Sequence, residues 1–172
     1  MTAPDERESL QLAALADVGA ALDHDRIEHW VFGGWAVDFY AGRVTRPHDD
    51  IDVAVWLDDL PRIRALLERG GWSHAPEPDE DGGTGYERGP VRLELTFLVR
   101  ANDGRVFIPL QDFEARWPDD ALAGDDRELR GVRARVVGLA SLLRGKGSAR
   151  DDAHEKAKDN ADFAVLRGLG SD

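Results

Sequence analysis

The sequence predicts an α+β fold in which a mixed β-sheet is flanked by helices. Strand-like runs are mixed with helix-like runs, and they follow no regular βαβ order. The chain has 172 residues, 42% of them hydrophobic, which is enough for one domain with a substantial core. We therefore expect a single domain over residues 1–172, built on one mixed sheet.

Sequence patterning divides the chain into elements. Apolar residues at helical spacing indicate helices, alternation indicates strands, and Gly, Pro and Asp mark their ends. The expected elements in order are a helix at 4–22, a strand at 27–32, a short helix at 35–40 with Gly42 as its C-cap, a strand at 51–56, a helix from 58 or 59 to 70, strands at 91–99, 106–110 and 132–137, a short helix at 138–144 and a helix at 153–169.

Two stretches have no clear pattern. Residues 75–90 are rich in Pro, Gly and acidic residues, which predicts a mobile loop or hairpin tip. Residues 111–129 are expected to be irregular, with room for one short helix. Residues 145–152 are expected to form a loop before the last helix.

Helical periodicity predicts which sides of the first and last helices face the core. The expected inward residues of the first helix are Leu10, Ala14, Leu15, Val18 and Leu22. Those of the last helix are Ala157, Ala161, either Phe163 or Ala164, and Leu166.

Charge and composition exclude several classes of protein. A net charge of −12 repels a nucleic-acid backbone and attracts cations, although such acidity also simply keeps a protein soluble. No apolar run approaches the roughly 20 residues that span a bilayer, and the N-terminus does not resemble a signal peptide. With no cysteine in the chain, we expect a cytoplasmic protein that binds neither nucleic acid nor membrane.

Asp50 and Asp52 form the first candidate site. They alternate with Ile51 and Val53 on a predicted strand, so both carboxylates project from one face while the apolar residues face the core. Paired oxygen ligands suit Mg²⁺, and two like charges this close favour a bound cation. The alternative is a solvated acidic strand edge, because acidic pairs are common.

Gly33 and Gly34 form the second candidate site, between a predicted strand and a predicted helix. Free N–H groups at a helix N-terminus bind phosphate, and glycine lets a ligand approach the backbone closely. Arg43, Arg46 and His48 follow nearby and could neutralise phosphate oxygens. The alternatives are an ordinary glycine turn and unengaged surface charges.

Glu94 is the third carboxylate of interest. It lies on the polar face of the most regular alternation in the chain, Val91–Val99. If this strand neighbours the strand of Asp50 and Asp52, three carboxylates converge as a two-metal site for in-line attack on phosphorus requires. Glu94 could then bind metal or accept the proton of an attacking hydroxyl.

The stretch that contains the glycine pair and the two aspartates resembles a known family. GGWAVD at Gly33–Asp38, Gly42, and RPHDDID at Arg46–Asp52 closely resemble the core of small antibiotic nucleotidyltransferases of the polymerase-beta-like superfamily. These include the aminoglycoside 2″-adenylyltransferases and the lincosamide nucleotidyltransferases. Weaker similarity in element order is found at residues 86–97, 130–143 and 156–162. The resemblance implies a nucleotidyltransferase fold.

The resemblance also implies a role for each residue that matches the family pattern. Gly33 and Gly34 would hold the triphosphate, and Arg46 and Lys158 would contact the nucleotide. Lys158 could equally be an exposed helix lysine.

The acidic residues would form the reactive centre. By resemblance, Asp50 and Asp52 bind Mg²⁺, and Glu94 completes the acidic triad as metal ligand, base or both. Some relatives have Asp where this chain has Glu94. Asp38 is expected to brace the fold without reacting.

The implied reaction transfers AMP from ATP to a hydroxyl of a small molecule and releases pyrophosphate. The acidic chain favours an aminoglycoside as the acceptor, with a lincosamide as the alternative. Glu77–Asp81 could form a wall of the acceptor pocket or a solvated loop. Two other classes remain: a same-fold enzyme that modifies a protein in a toxin–antitoxin pair, and a non-catalytic nucleotide-binding scaffold.

The short chain leaves little room for a large second domain. We expect residues 25–100 to form the catalytic core and residues 101–172 to complete the acceptor pocket. A second copy of the chain could also contribute to the pocket, so both monomer and homodimer remain open.

Overall fold

The structure, a computed structural model, describes residues 4–146 and 153–169 of the chain. Five helices lie within these residues, namely α1 (Pro4–His24), α2 (Gly33–Ala41), α3 (Leu60–Arg69), α4 (Leu139–Lys146) and α5 (Ala153–Leu169). Nine strands accompany them, namely β1 (His29–Phe32), β2 (Ile51–Trp56), β3 (Ser73–His74), β4 (Gly83–Arg88), β5 (Val91–Arg100), β6 (Val106–Pro109), β7 (Glu114–Trp117), β8 (Asp126–Leu129) and β9 (Val132–Arg135). Single 3-10 turns occur at Leu57–Asp59 and Asp119–Ala121.

The main sheet has seven strands and is mixed, as expected for the α+β class. Its order is β1-β2-β5-β4-β3, and the hairpin of β6 and β7 is attached to the end of β5. β2 and β5 run parallel, whereas the other pairs are antiparallel. The buried faces of β2 and β5 supply much of the core, including Ile51, Val53, Val55, Leu93 and Leu95.

The expectation of a single sheet is wrong. β8 and β9 form a separate two-stranded sheet, and a parallel bridge between Val31 of β1 and Val136, the residue after β9, links it to the main sheet. The hairpin is closed by Arg130 and Gly131, both at positive φ (48° and 79°). This tight turn pairs β9 with β8, so β9 does not extend the main sheet.

Residues 75–90 and 111–129 contain strands where none were expected. Residues 83–88 form β4, whose glycines suggested a loop but serve close approach to β5. A Cβ on Gly83 would overlap the backbone oxygen of Leu95. Residues 114–117 and 126–129 form β7 and β8, which have only four residues each and so give a much weaker pattern than the ten residues of β5.

The inward face of α1 is the predicted one except at its first residue. Ala14, Leu15, Val18 and Leu22 are buried, as expected. Leu10 is instead 38% exposed, and Gln11 and Leu12 are buried. The Gln11 side chain donates a hydrogen bond from Nε2 to the carbonyl oxygen of His48 at 2.9 Å. Partial satisfaction of its amide makes burial of this polar residue tolerable.

The inward face of α5 is only partly the expected one. Leu166 is buried and Phe163 is half-buried, as predicted. Ala157 and Ala161 are instead exposed, and the polar residues Asp159 and Asp162 are buried. Asp162 is buried because it pairs with an arginine from the turn before β2. The predicted loop at 145–152 partly overlaps α4, and its residues 147–152 lie outside the described residues.

The helix α2 begins at the glycine pair itself. Gly33 is its first residue and has φ +69°, a conformation that L side chains rarely adopt. Gly42 ends the helix in the left-handed conformation and donates its N–H to Asp38 O, which confirms the predicted C-cap. Within the residues that the structure describes, no helix has the length and apolarity that crossing a membrane requires.

Candidate active site

A cleft of about 810 Å³ lies over one face of the main sheet. Its floor is formed by β2 and β5, one side by the start of α2, and another by the β6–β7 hairpin and helices α4 and α5. All seven residues predicted to form the site line this cleft: Gly33, Gly34, Arg46, Asp50, Asp52, Glu94 and Lys158.

Asp52 and Glu94 are direct neighbours on the floor of the cleft. They are register partners on the parallel strands β2 and β5, which places their backbones about 4.8 Å apart. Asp50 lies two residues before Asp52, immediately before β2 begins. The strand β5 therefore neighbours β2, which is the condition under which the three carboxylates were expected to converge.

The donor set of Asp50 and Asp52 suits a hard divalent cation, which prefers carboxylate oxygens. A Cβ on Gly33 would overlap Asp52 Oδ2, so glycine keeps the space beside this oxygen open. In the described part of the chain, no three acidic, histidine or cysteine side chains already stand at metal-ligand geometry. The fit therefore rests on the two aspartates, and the metal role of Glu94 stays a prediction.

The Glu94 carboxylate has an unusual environment. Burial raises its pKa to about 7; a hydrogen bond from Arg92 opposes this, and the Glu80 carboxyl adds to it. The Arg92 Nε lies 2.5 Å from Glu94 Oε1. Near neutral pH, Glu94 can thus both hold and release a proton, as a general base must.

The glycine pair faces the side chains that follow α2. No side chain caps the N-terminus of α2 at Phe32, so the first backbone N–H groups have no side-chain acceptor there. A Cβ on Gly34 would lie 2.7 Å from Arg46 Nη2 and would overlap the His48 ring. Only glycine fits at both positions, and an anion site at this helix start remains a prediction.

Arg46 and Lys158 line the cleft but already bind acidic partners. Arg46 makes a bidentate ion pair with Asp162, with both N···O distances at 2.8 Å. Lys158 Nζ donates to Asp49 Oδ2 at 2.6 Å. Their contact with a nucleotide stays a prediction, and it would have to be shared with these carboxylates.

Asp38 has the geometry of a bracing residue. It is fully buried, and its Oδ2 lies 2.5 Å from His48 Nε2. Its Oδ1 accepts hydrogen bonds from the Thr45 N–H and hydroxyl, at 3.1 and 2.6 Å. These contacts hold the turn before β2 against α2 and so fix the aspartates relative to the glycine pair.

Several cleft residues were not predicted from the sequence. Arg116 and Trp117 on β7 and Arg144 on α4 line the cleft, and Trp117 packs edge-on against Phe32 with ring centroids 5.5 Å apart. β7 has only four residues, so its alternation of polar and apolar residues was too short to be recognised as a strand that would place Arg116 and Trp117. The acidic stretch Glu77–Asp81 was a candidate wall, and its last two residues do line the cleft.

Comparison with known proteins identifies the family. The profile of the aminoglycoside-2''-adenylyltransferase family matches residues 14–164, most of the chain. The chain belongs to this family. The sequence resemblance to small antibiotic nucleotidyltransferases is thereby confirmed.

Curated relatives in the family match a shorter segment. A 2''-aminoglycoside nucleotidyltransferase of Klebsiella pneumoniae is 35% identical over 72 residues, which is 42% of this chain and 41% of that protein. One from Escherichia coli is 36% identical over 61 residues, covering 36% of this chain and 34% of that protein. The matched segment thus spans about two fifths or less of these relatives' length.

Solved structures confirm the nucleotidyltransferase fold. ANT(2")-Ia in complex with adenylyl-2"-tobramycin superposes with a TM-score of 0.72 at 21% identity, covering 92% of this chain and 88% of that one. The lincosamide antibiotic adenylyltransferase LnuA, lincomycin-bound, superposes with a TM-score of 0.68 at 17% identity, covering 87% of this chain and 92% of that one.

Proposed function

We propose that this chain is a nucleotidyltransferase that transfers AMP from ATP to a hydroxyl of an aminoglycoside and releases pyrophosphate. The observation that carries the proposal is the direct pairing of Asp52 with Glu94 on parallel strands, beside Asp50 and the glycine start of α2. Family membership supports the reaction class. We further propose that the reaction occurs in the cytoplasm, where ATP is available.

The carboxylates divide into two roles. Asp50 and Asp52 would hold magnesium, which when bound stabilises charge on phosphoryl oxygens and orients the triphosphate. Glu94, with its pKa near 7, accepts the proton of the acceptor hydroxyl as this hydroxyl attacks the α-phosphorus. The bond from the α-phosphorus to the bridging oxygen breaks, and pyrophosphate leaves.

The surrounding residues bind and orient the nucleotide. The N–H groups of Gly33 and Gly34 would donate hydrogen bonds to the phosphate oxygens, and Arg46 and Lys158 would add positive charge at the same wall. Placing both reactants in one cleft lowers the entropic part of the barrier.

The acceptor would lie against the part of the cleft formed by the second half of the chain. Ile108, Leu110 and Trp117 line it, in line with the proposal that residues 101–172 complete the acceptor pocket. Glu80 and Asp81 add negative charge there, and the whole chain carries −12. This charge favours a polycationic aminoglycoside over a lincosamide.

Mass spectrometry of an antibiotic panel tests the proposal. The chain is incubated with ATP, MgCl₂ and a mixture of aminoglycosides and lincosamides, and a mass gain of one AMP on an aminoglycoside is expected. Asp50→Asn should abolish the gain, whereas Asp17→Asn on the exposed surface of α1 should not.

Other outcomes would contradict the proposal in distinct ways. A gain only on a lincosamide would reassign the acceptor. Pyrophosphate release that needs a partner protein and no drug would favour the protein-modifying alternative. Full activity of Asp50→Asn would overturn the magnesium assignment. No turnover with any antibiotic or partner protein would favour a non-catalytic nucleotide-binding scaffold.

A further inference from the structure

Arg92 is an unusual arginine on the floor strand of the cleft. It precedes Glu94 by two residues on β5, so both side chains lie on the same face of the sheet. Its side chain is only 18% exposed, although arginine on a polar strand face is usually solvated. Specific contacts therefore keep the Arg92 side chain packed against the sheet.

The Arg92 guanidinium is held at several points. Nη1 donates to Ala75 O at 3.0 Å and to Glu87 Oε1 at 3.2 Å, and Nη2 lies 3.4 Å from Glu77 Oε1. The remaining donor, Nε, lies 2.5 Å from Glu94 Oε1. A planar group bound on three sides cannot swing freely, so it can serve as a fixed support.

The neighbouring strand is shaped to admit this guanidinium. Gly85 on β4 is the register partner of Glu94, so a side chain there would project from the same face. A Cβ on Gly85 would overlap Arg92 Nη2, and it would lie 2.8 Å from Cζ. The absence of a side chain at position 85 thus makes the space in which Arg92 reaches Glu94.

Fixing one oxygen of Glu94 has a clear consequence. A glutamate side chain has three rotatable bonds, and ordering them costs on the order of 1 kcal/mol or more. A group that accepts a proton during reaction works best when its geometry is fixed before the substrate arrives. Arg92 supplies this restraint from outside the cleft, since it does not line the cleft itself.

We propose that Arg92, admitted by Gly85, is a positioning residue that holds the Glu94 carboxylate by Oε1 beside Asp52. The proposal rests on the proposed nucleotidyl transfer, because it assigns a support to the group that accepts the proton. Arg92 does not touch substrate or metal in this arrangement.

Steady-state kinetics of Arg92→Gln is the first test. We expect kcat with the aminoglycoside that the native chain modifies to fall about tenfold to a hundredfold, since small misplacements of a reacting group have effects of this size. KM for ATP and for the aminoglycoside should stay within about twofold, because neither is bound by Arg92. Arg92→Lys should recover part of kcat, since an ammonium can still donate to Glu94.

Arg100→Gln is the matched control, because Arg100 lies on the same strand outside the cleft. It should leave kcat within about twofold of native, as expected for a surface substitution. Equal kcat losses in the two variants, or a loss confined to KM, would overturn the proposal.

Gly85→Ala approaches the same contact from the other strand. Its Cβ would displace the guanidinium and would also lie 2.9 Å from the backbone oxygen of Ala75, so kcat should fall at least as far as in Arg92→Gln. The double variant should be little worse than Gly85→Ala alone, because both changes remove the contact of Arg92 with Glu94. If the kcat losses of the two single variants multiplied in the double variant, the proposal would be contradicted. Each variant should have a melting temperature well above the assay temperature, so that only folded protein is compared.

Crystal structures of the native chain and of Arg92→Gln test the position of Glu94 without an activity measurement. The native chain should show Glu94 in one rotamer on Arg92, whereas the variant should show it turned or in several. An unchanged single rotamer would overturn the proposal. If Asp50→Asn is inactive and Arg92→Gln is not impaired, only this inference fails; if Asp50→Asn is fully active, the proposed function fails.

Discussion

The three carboxylates of the cleft differ in what surrounds them. Asp52 lies against Gly33, whereas Glu94 is bound by Arg92 and lies near Glu80. Burial and the Glu80 carboxyl both disfavour the charged form of Glu94. The protonation of Glu94 therefore changes near neutral pH.

Glu94 should make stability depend on pH when metal is removed. Its pKa is about 7 in the folded chain, above the ordinary value of 4.5, so the folded state binds more protons between these values. Its contribution is therefore present at low pH and is lost as pH rises towards and past 7. In EDTA, we expect native stability relative to Glu94→Gln to fall by roughly 1–3 kcal/mol between pH 5 and pH 8, measured by urea unfolding. If the difference in stability between the native chain and Glu94→Gln did not change with pH, the raised pKa of Glu94 would be contradicted.

Gly33 combines a positive φ with direct contact to a carboxylate of the site. Gly33→Ala would place Cβ on Asp52 Oδ2 at a backbone φ of +69°. We expect a loss of about 1–3 kcal/mol in stability and a fall in kcat/KM of about a hundredfold, since the aspartate must move.

Gly168→Ala is the matched control for that change. Gly168 lies in α5 with open space around its Cβ position. Alanine there should leave activity unchanged and raise stability by up to about 1 kcal/mol. Similar losses in both variants would mean that Gly33 has no special role.

At the scale of elements, α5 is attached to the site by a buried polar contact. Its inward face carries Asp162, which clamps Arg46 from the turn before β2. This pair spans 116 positions of sequence and brings the end of the chain to the cleft. The apolar pattern of α5 predicts the burial of Leu166 but not that of Asp162, because the contact of Asp162 is ionic.

Asp162→Asn should therefore destabilise the fold. The Asp162 side chain is 1% exposed and that of Arg46 is 18% exposed, so removing one charge leaves a poorly solvated cation. We expect a loss of about 3 kcal/mol, measured by thermal unfolding. Asp120→Asn, which breaks the exposed pair with Arg144, should have almost no effect. Equal effects of the two changes would show that the buried pair is not structural.

At the scale of the whole molecule, charge is the dominant feature. The net charge of −12 and the acidic residues of the cleft attract a polycation at long range, and salt screens this attraction. We expect KM for an aminoglycoside to rise severalfold between about 0.05 and 0.5 M NaCl, where the screening length shortens from above to below about 10 Å. The rise should be steeper for acceptors with more amino groups. Equal slopes for weakly and highly charged acceptors would contradict electrostatic recruitment.

The sequence by itself determined the local parts of the molecule. The start of β2, the alternation of β5 and the C-cap at Gly42 were all predicted from residues near in sequence. They could be predicted because strand alternation and helix capping depend on nearest neighbours along the chain.

The tertiary structure alone decided which residues meet across the chain. The strand β4, hidden by its glycines, exists because Gly83 and Gly85 let it approach β5 and leave room for Arg92 beside Glu94. The inward face of α5 is partly polar because Asp162 forms an ion pair with Arg46. These features depend on close packing and ion pairing between distant segments, which periodicity along the sequence does not encode.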